Sequence, residues 1–141
     1  MIQRSQTIWL LLAVAALVAF VTQSEVWTGG ALAAVGWLPT AGYALAVLTA
    51  VVAALAVFLY KDRTRQRQII LAAQWLDVAL VLALAAAVAL VAFGDAETTG
   101  ELSPVQAVML VLPVGAYVFL RLARRGVDKD IKLVKSMDRL R

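Results

Sequence analysis

The stretch IILAAQWLDVALVLALAAAVALVAF, residues 69 to 93, decides the fold. It holds a single charged residue, Asp77, and exceeds the roughly 20 apolar residues that cross a hydrocarbon core about 30 Å thick. Lipid offers no water to backbone N–H and C=O groups, so a segment of this length must satisfy them internally, as a helix. The alternation of a barrel strand is absent. Three further apolar segments accompany it: residues 5 to 22, containing TIWLLLAVAALVAFV; residues 39 to 60, containing TAGYALAVLTAVVAALAVFLY; and residues 103 to 120. The last opens on Ser103-Pro104-Val105-Gln106, a serine N-cap with proline at the first helical position and a glutamine placed to close a capping box. Gly94 follows residues 69 to 93 as the helix C-cap.

Composition agrees with this reading. Of the 141 residues 63% are hydrophobic and only 16% are charged, and the mean hydropathy is +0.87, well beyond the apolar share of a soluble domain. The chain is expected to be one all-α, integral membrane four-helix bundle with a cytoplasmic amphipathic C-terminal helix, a single membrane domain over residues 1 to 141. Residues 5 to 22 have the length of a signal peptide, but FVTQSEVW after them offers no small-x-small cleavage site, and an uncleaved anchor is the simpler reading. There is no cysteine and no histidine. That removes disulfides, thiolate and imidazole metal sites, histidine-ligated haem and any Ser-His-Asp or Cys-His nucleophile, so neither an enzyme nor a cofactor is expected.

All thirteen Lys and Arg fall in three places: Arg4, the loop KDRTRQR at residues 61 to 67, and the tail from Arg121 onward. The connections at residues 23 to 38 and 94 to 102 carry Glu25, Asp95, Glu97 and Glu101 and no basic residue. The positive-inside rule then puts both termini in the cytoplasm. Trp27, Trp37 and Tyr43 toward the outer ends, and Tyr60 and Trp75 toward the inner ends, read as aromatic belts.

The tail, LARRGVDKDIKLVKSMDRLR at residues 122 to 141, has helical periodicity. Val127, Ile131, Leu133, Val134, Met137 and Leu140 share one half of a wheel, and Asp128, Lys132, Lys135, Ser136 and Arg139 share the other. An amphipathic helix with Gly126 as a bend follows. A basic face beside an aliphatic one suits the anionic inner leaflet, which makes Arg4, Lys129, Lys132, Lys135 and Arg139 candidate contacts to lipid or to a membrane-protein partner. No aromatic platform accompanies these residues, so a nucleic-acid site is not expected.

The opening MIQRSQTIWLLL and the ending KDIKLVKSMDRLR resemble the two ends of a bacterial four-span membrane family, mainly from Bacteroidota, named domain of unknown function 4293. Its pattern begins MIQR-x-QT-I-aromatic-LLL and closes on a KDE-x-LVRS-x-DRLR-like stretch. Ile131 stands here where the pattern often has an acid, and Lys135 where it has Arg. The resemblance covers essentially the whole chain and implies a four-span inner-membrane protein without implying an activity. It draws attention to residues 1 to 7 and 129 to 141, with Gln3, Arg4 and Gln6 expected to meet Asp130, Asp138 or Arg139 at the inner face.

Asp77 is the one acid inside an apolar segment. Such carboxylates are expensive and serve proton or ion paths, or are held in structural pairs. Trp75 marks an interface nearby, so Asp77 is read first as a structural partner of Arg121 or of the basic loop at residues 61 to 67. Ala72, Ala79, Ala83 and Ala86 form a small-residue stripe that would admit a neighbouring helix, leaving Asp77 and Gln74 facing outward. Gly42, Ala46, Ala50 and Ala53 form a second such stripe. Pro113 removes a backbone donor and should interrupt its helix, freeing the carbonyl of Met109. The function expected is a small accessory, assembly or structural subunit of a membrane complex, with a membrane-protein partner or a homo-oligomer expected, the alternative being a small transporter or channel using Asp77.

Overall fold

The computed structural model describes residues 2–94 and 101–138, with side chains from Gln6 to Gly94 and from Glu101 to Met137. The acidic residues Asp95 and Glu97, the side chain of Arg4, and Arg139 and Leu140 lie outside the described set. Every element is helical: α1 (Ile2–Thr22), α2 (Ser24–Thr28), α3 (Gly30–Ala33), α4 (Tyr43–Phe58), α5 (Arg63–Phe93), α6 (Pro104–Met109) and α7 (Val111–Asp138), with a π-helical turn at Leu38–Gly42 leading into α4. No strand occurs among the described residues, and the chain is an all-α bundle.

Local chemistry fixes the boundaries. α5 begins six residues before the apolar run because the Asp62 carboxylate accepts from the backbone N–H groups of Thr64 and Arg65 at 3.1 and 3.0 Å, an aspartate N-cap. Most of the expected basic loop is therefore the first turns of a helix. At 31 residues α5 is about 46 Å long and ends on Gly94, whose backbone is extended. Ser103 and Gln106 close the capping box that opens α6. The last long helix is interrupted at Leu110, one turn before Pro113, whose ring lacks a donor for the Met109 carbonyl.

The four long helices close a ring in which α1 packs on α7 and α4, and α5 packs on α4 and α7. α1 and α7 are antiparallel: Gln6 meets Asp130 at one end, Trp9 stacks on Phe119 at 5.9 Å, and the turn after α1 meets Gln106 at the other. Small residues make this approach close. Ala46, Ala50, Ala53 and Ala56 line the inward face of α4, and Gly42 before them is buried, as the sequence stripe anticipates. On α5 the expectation fails. Ala72, Ala79 and Ala86 are exposed and Ala83 only half-buried, whereas Ile70, Ala73, Gln74, Asp77, Leu80, Leu84, Ala87 and Val91 face the core. A stripe of methyl groups on an outward face packs nothing, and volume matching to the alanines of α4 selects the larger residues of α5 instead.

The connection at residues 23 to 38 is also structured. α2 and α3 fold over the end of the bundle and bury Val26, Trp27, Ala31, Leu32, Val35 and Leu38. Trp27 is thus not a belt residue. It is 6% exposed, meets Phe20 and Tyr43 edge-to-face at 5.1 and 5.4 Å, and donates its indole N–H to the Val21 carbonyl at 3.1 Å. Trp37, Tyr43, Tyr60 and Trp75 do stand exposed.

The outside of the bundle is apolar too. Ile8, Leu11, Leu12, Leu48, Val51, Leu55, Leu82, Leu90 and Val118 are all exposed, on all four long helices, a surface suited to hydrocarbon and not to water. Among the described residues three helices are long and apolar enough to cross a membrane: Leu38–Phe58, Arg63–Phe93 and Pro104–Met137. The apolar part of α1, Gln6–Thr22, is shorter.

Trp27→Ala should cost about 3–5 kcal/mol, whereas Trp37→Ala on the exposed surface should cost well under 1 kcal/mol. Thermal melts of the two variants in detergent check this; equal losses would return Trp27 to the surface.

Candidate functional site

Polar groups are few inside this bundle, and apart from Asp77 and from Thr49, whose hydroxyl donates to the Leu45 carbonyl within α4, they collect at its two ends. At one end Gln106 is 1% exposed and its side-chain amide donates to the carbonyls of Glu25 and Gly29, at 3.1 and 2.7 Å, while its oxygen accepts from the Ser103 N–H. Gly30 is required there twice over. Its φ of +64° suits glycine, and a Cβ would stand 2.8 Å from the Gln106 amide oxygen.

The other end carries the charges. α7 turns Asp130 into the bundle, and Gln6 donates to its Oδ2 at 2.8 Å, which is the meeting of N-terminus and tail that the family resemblance implied. Gly126 does not interrupt α7, which is helical through it; the glycine leaves room for Gln6, whose Cγ would lie 2.5 Å from an added Cβ. Two residues before Asp130 on α7, Asp128 meets Arg67 of α5 at 2.6 Å, with Arg124 3.8 Å from the other carboxylate oxygen. Arg124 also donates to the Gln74 side-chain oxygen at 3.2 Å, and Gln66 caps α4 by donating to the Ala56 carbonyl at 3.1 Å. Both partners of the Arg67 and Asp128 pair are more than a third exposed, so the pair contributes on the order of 1 kcal/mol or less.

Beyond Gln74 the polar line stops at Asp77. It is fully buried, and neither of its carboxylate oxygens has a hydrogen-bond partner among the described residues; nor has the Gln74 side-chain nitrogen one turn away. The anticipated pair with Arg121 is not made. Asp77 of α5 faces the core of the bundle, while Arg121 sits on the outward face of α7 between the buried Leu120 and Ala123, so the two side chains point to different surroundings. The basic segment at residues 61 to 67 does supply a pairing arginine, but to Asp128. Gln74 and Asp77 face the core, opposite to the outward orientation expected. A signal for this existed: Gln66, Ile70, Ala73, Gln74, Asp77, Leu80 and Leu84 recur at three and four residues, one continuous helical face.

The remaining sequence candidates lie on the tail. Lys129, Lys132 and Lys135 are exposed on α7. The buried stripe Ala116, Leu120, Ala123, Val127 and Asp130 continues at the same spacing to Val134 and Met137, which are 44% and 63% exposed. No group of three or more Asp, Glu, His or Cys that could hold a metal ion occurs among the described residues.

Comparison with known proteins gives one match. The family model described as Domain of unknown function (DUF4293) aligns with residues 2–140. No curated protein and no solved structure matches the chain.

An unpartnered buried carboxyl costs stability and a satisfied one contributes it. Asp77→Asn should therefore raise the melting temperature in detergent, or leave it unchanged, whereas Gln6→Leu, which strands Asp130, should lower stability by about 1–3 kcal/mol. A marked fall for Asp77→Asn would show that the carboxyl carries a contact.

Proposed function

This chain belongs to the DUF4293 family, and we propose that it is a small, non-enzymatic accessory or assembly subunit of a membrane complex, in the cytoplasmic membrane of a bacterium. The single observation that carries this reading is the tail of α7. A helix that packs inside the bundle as far as Asp130 runs on without a break and presents Leu133, Val134 and Met137 uncovered, with Lys129, Lys132 and Lys135 beside them. An aliphatic strip flanked by lysines fits a partner that is apolar with an acidic rim, held at the inner face by helix-in-groove packing. The anionic lipid surface is the competing occupant.

The orientation belongs to the same proposal. Arg67, Arg121, Arg124, Arg125 and the tail lysines share one end of the bundle, which supports a cytoplasmic assignment for that end and for both termini. α1 runs antiparallel to α7 from Gln6 beside Asp130 to the turn beside Gln106, and this supports its crossing as a fourth span despite its shorter apolar run. A second reading, a small transporter or channel, draws on the buried and unpartnered Asp77. Ion flux into proteoliposomes that is abolished by Asp77→Asn would favour it over the subunit.

The chain has no cysteine, so single introduced thiols report topology. Thr28→Cys should react with an impermeant thiol reagent in intact cells and Ser136→Cys only after lysis; labelling of Ser136→Cys in intact cells overturns the orientation.

Purification from native membranes should bring down a stoichiometric partner. Replacing Leu133, Val134 and Met137 with Ser should release it while leaving the bundle's helical content and melting temperature unchanged. Retention of every partner by that variant removes the tail from the interface.

A further inference from the structure

Between α5 and α7 the side of the bundle is grooved. Toward the Gln106 end lies an apolar recess of about 430 Å³ walled by residues such as Leu84, Val88, Phe93 and Leu110. Through Val81 and Val114 it adjoins a second recess of about 210 Å³ that reaches Val78 and Tyr117. Those two residues also border a third, of about 180 Å³, lined in addition by Gln74, Trp75, Arg121 and Arg124. The last, of about 150 Å³, is enclosed by Arg121, Arg124, Arg125 and Asp128. Shared walls make these successive reaches of one groove. It follows Leu110, at the break before α7, and then Val114, Tyr117, Arg121, Arg124 and Asp128 along one face of α7, over about 27 Å in all.

The groove is divided by chemistry. Its long part is valine, leucine and alanine. Its mouth holds three arginines against one carboxylate, and that carboxylate is already engaged by Arg67 at 2.6 Å. Arg121 and Arg125 are exposed and have no acidic partner among the described residues. From Arg125 to Val114 the helix rises about 16 Å, the thickness of one hydrocarbon leaflet. Trp75 and Tyr117, amphipathic rings of the kind found at headgroup level, stand where mouth and apolar channel meet.

We propose that this groove is a binding site for one anionic glycerophospholipid, its phosphate held by Arg121 and Arg125 with Arg124 behind them, and one acyl chain lying along Val78, Val81 and Val114. Guanidinium forks match phosphate oxygens in shape and charge. A second copy of the chain is a poorer occupant. Two copies in one membrane share their orientation, so a two-fold pairing through this face would set each Arg121 and Arg125 level with its own counterpart. Naming the leaflet as the inner one rests on the proposed orientation; the groove itself does not.

Native mass spectrometry of the full chain in detergent, titrated with phosphatidylglycerol or with phosphatidylcholine of the same chains, tests it. Phosphatidylglycerol should bind at least about tenfold more tightly, as two arginines near the phosphate would give. Arg121→Gln with Arg125→Gln should abolish that preference. Val81→Phe, which fills the channel and leaves every charge in place, should reduce phosphatidylglycerol retention by a comparable factor. Glycerol phosphate alone should give no adduct, and replacing Lys129, Lys132 and Lys135 with Gln should leave the preference intact. Equal retention of the two lipids by the parent overturns the proposal. So does a preference that survives the arginine substitutions, that is lost with the tail lysines instead, or that ignores Val81→Phe, the mark of surface charge without a groove.

Discussion

Gln6 and Gln106 pin the two ends of one antiparallel seam, and the remaining helices are arranged around it. Gln106 holds the carbonyls of Glu25 and Gly29 where α1 gives way to the cap helices, and Gln6 holds Asp130 where α7 leaves the bundle. Between apolar helices in an apolar surrounding no hydrophobic force draws one to another, so close packing and a few buried polar bonds carry the association. Each amide fixes a register that leucines and valines alone would leave free to slide. Gly30 and Gly126 are the corresponding concessions of the backbone, both giving up a side chain so that a glutamine can enter.

With α1 and α7 joined in this way, α4 and α5 complete the ring, and the polar residues of α5 have no choice of surroundings. Gln66 reaches the open carbonyl at the end of α4, and Arg67 crosses to Asp128. Gln74 is half satisfied by Arg124, and Asp77 is left without a partner. The line from Asp128 through Arg124 and Gln74 to Asp77 runs from the charged end into the interior and loses hydrogen-bond partners as it goes. Its exposed end faces two directions at once. Toward the tail it leads to the uncovered strip of Val134 and Met137, and toward the side it forms the arginine mouth of the groove between α5 and α7.

Much of this was legible in the sequence because long apolar segments obey a strict local rule. Residues 39 to 60, 69 to 93 and 103 to 120 had to be helical whatever they packed against, and the Ser103 to Gln106 capping box declared its own start. The basic segment at residues 61 to 67 was legible as charge but not as structure, because only the Asp62 cap reveals that it is already helix. Trp27 was misread for a comparable reason. A tryptophan near the end of an apolar run looks the same whether it meets an interface or folds back on Phe20 and Tyr43.

Composition and periodicity by themselves determined the all-α class, the approximate helix limits, the clustering of basic residues and the amphipathic character of the tail, since each depends only on neighbours along one helix. The tertiary structure decided which face of each helix turned inward. In α5 both the alanine stripe and the stripe containing Gln74 and Asp77 have helical periodicity, and periodicity cannot rank them. Packing volume against the alanines of α4, with the reach of Arg67 across to Asp128 and of Arg124 across to Gln74, selected the second. The lack of a partner for Asp77 follows from that choice, and the partner of Asp130 from the seam of α1 on α7, because a contact between residues more than a hundred positions apart is set by how whole helices pack and by nothing local.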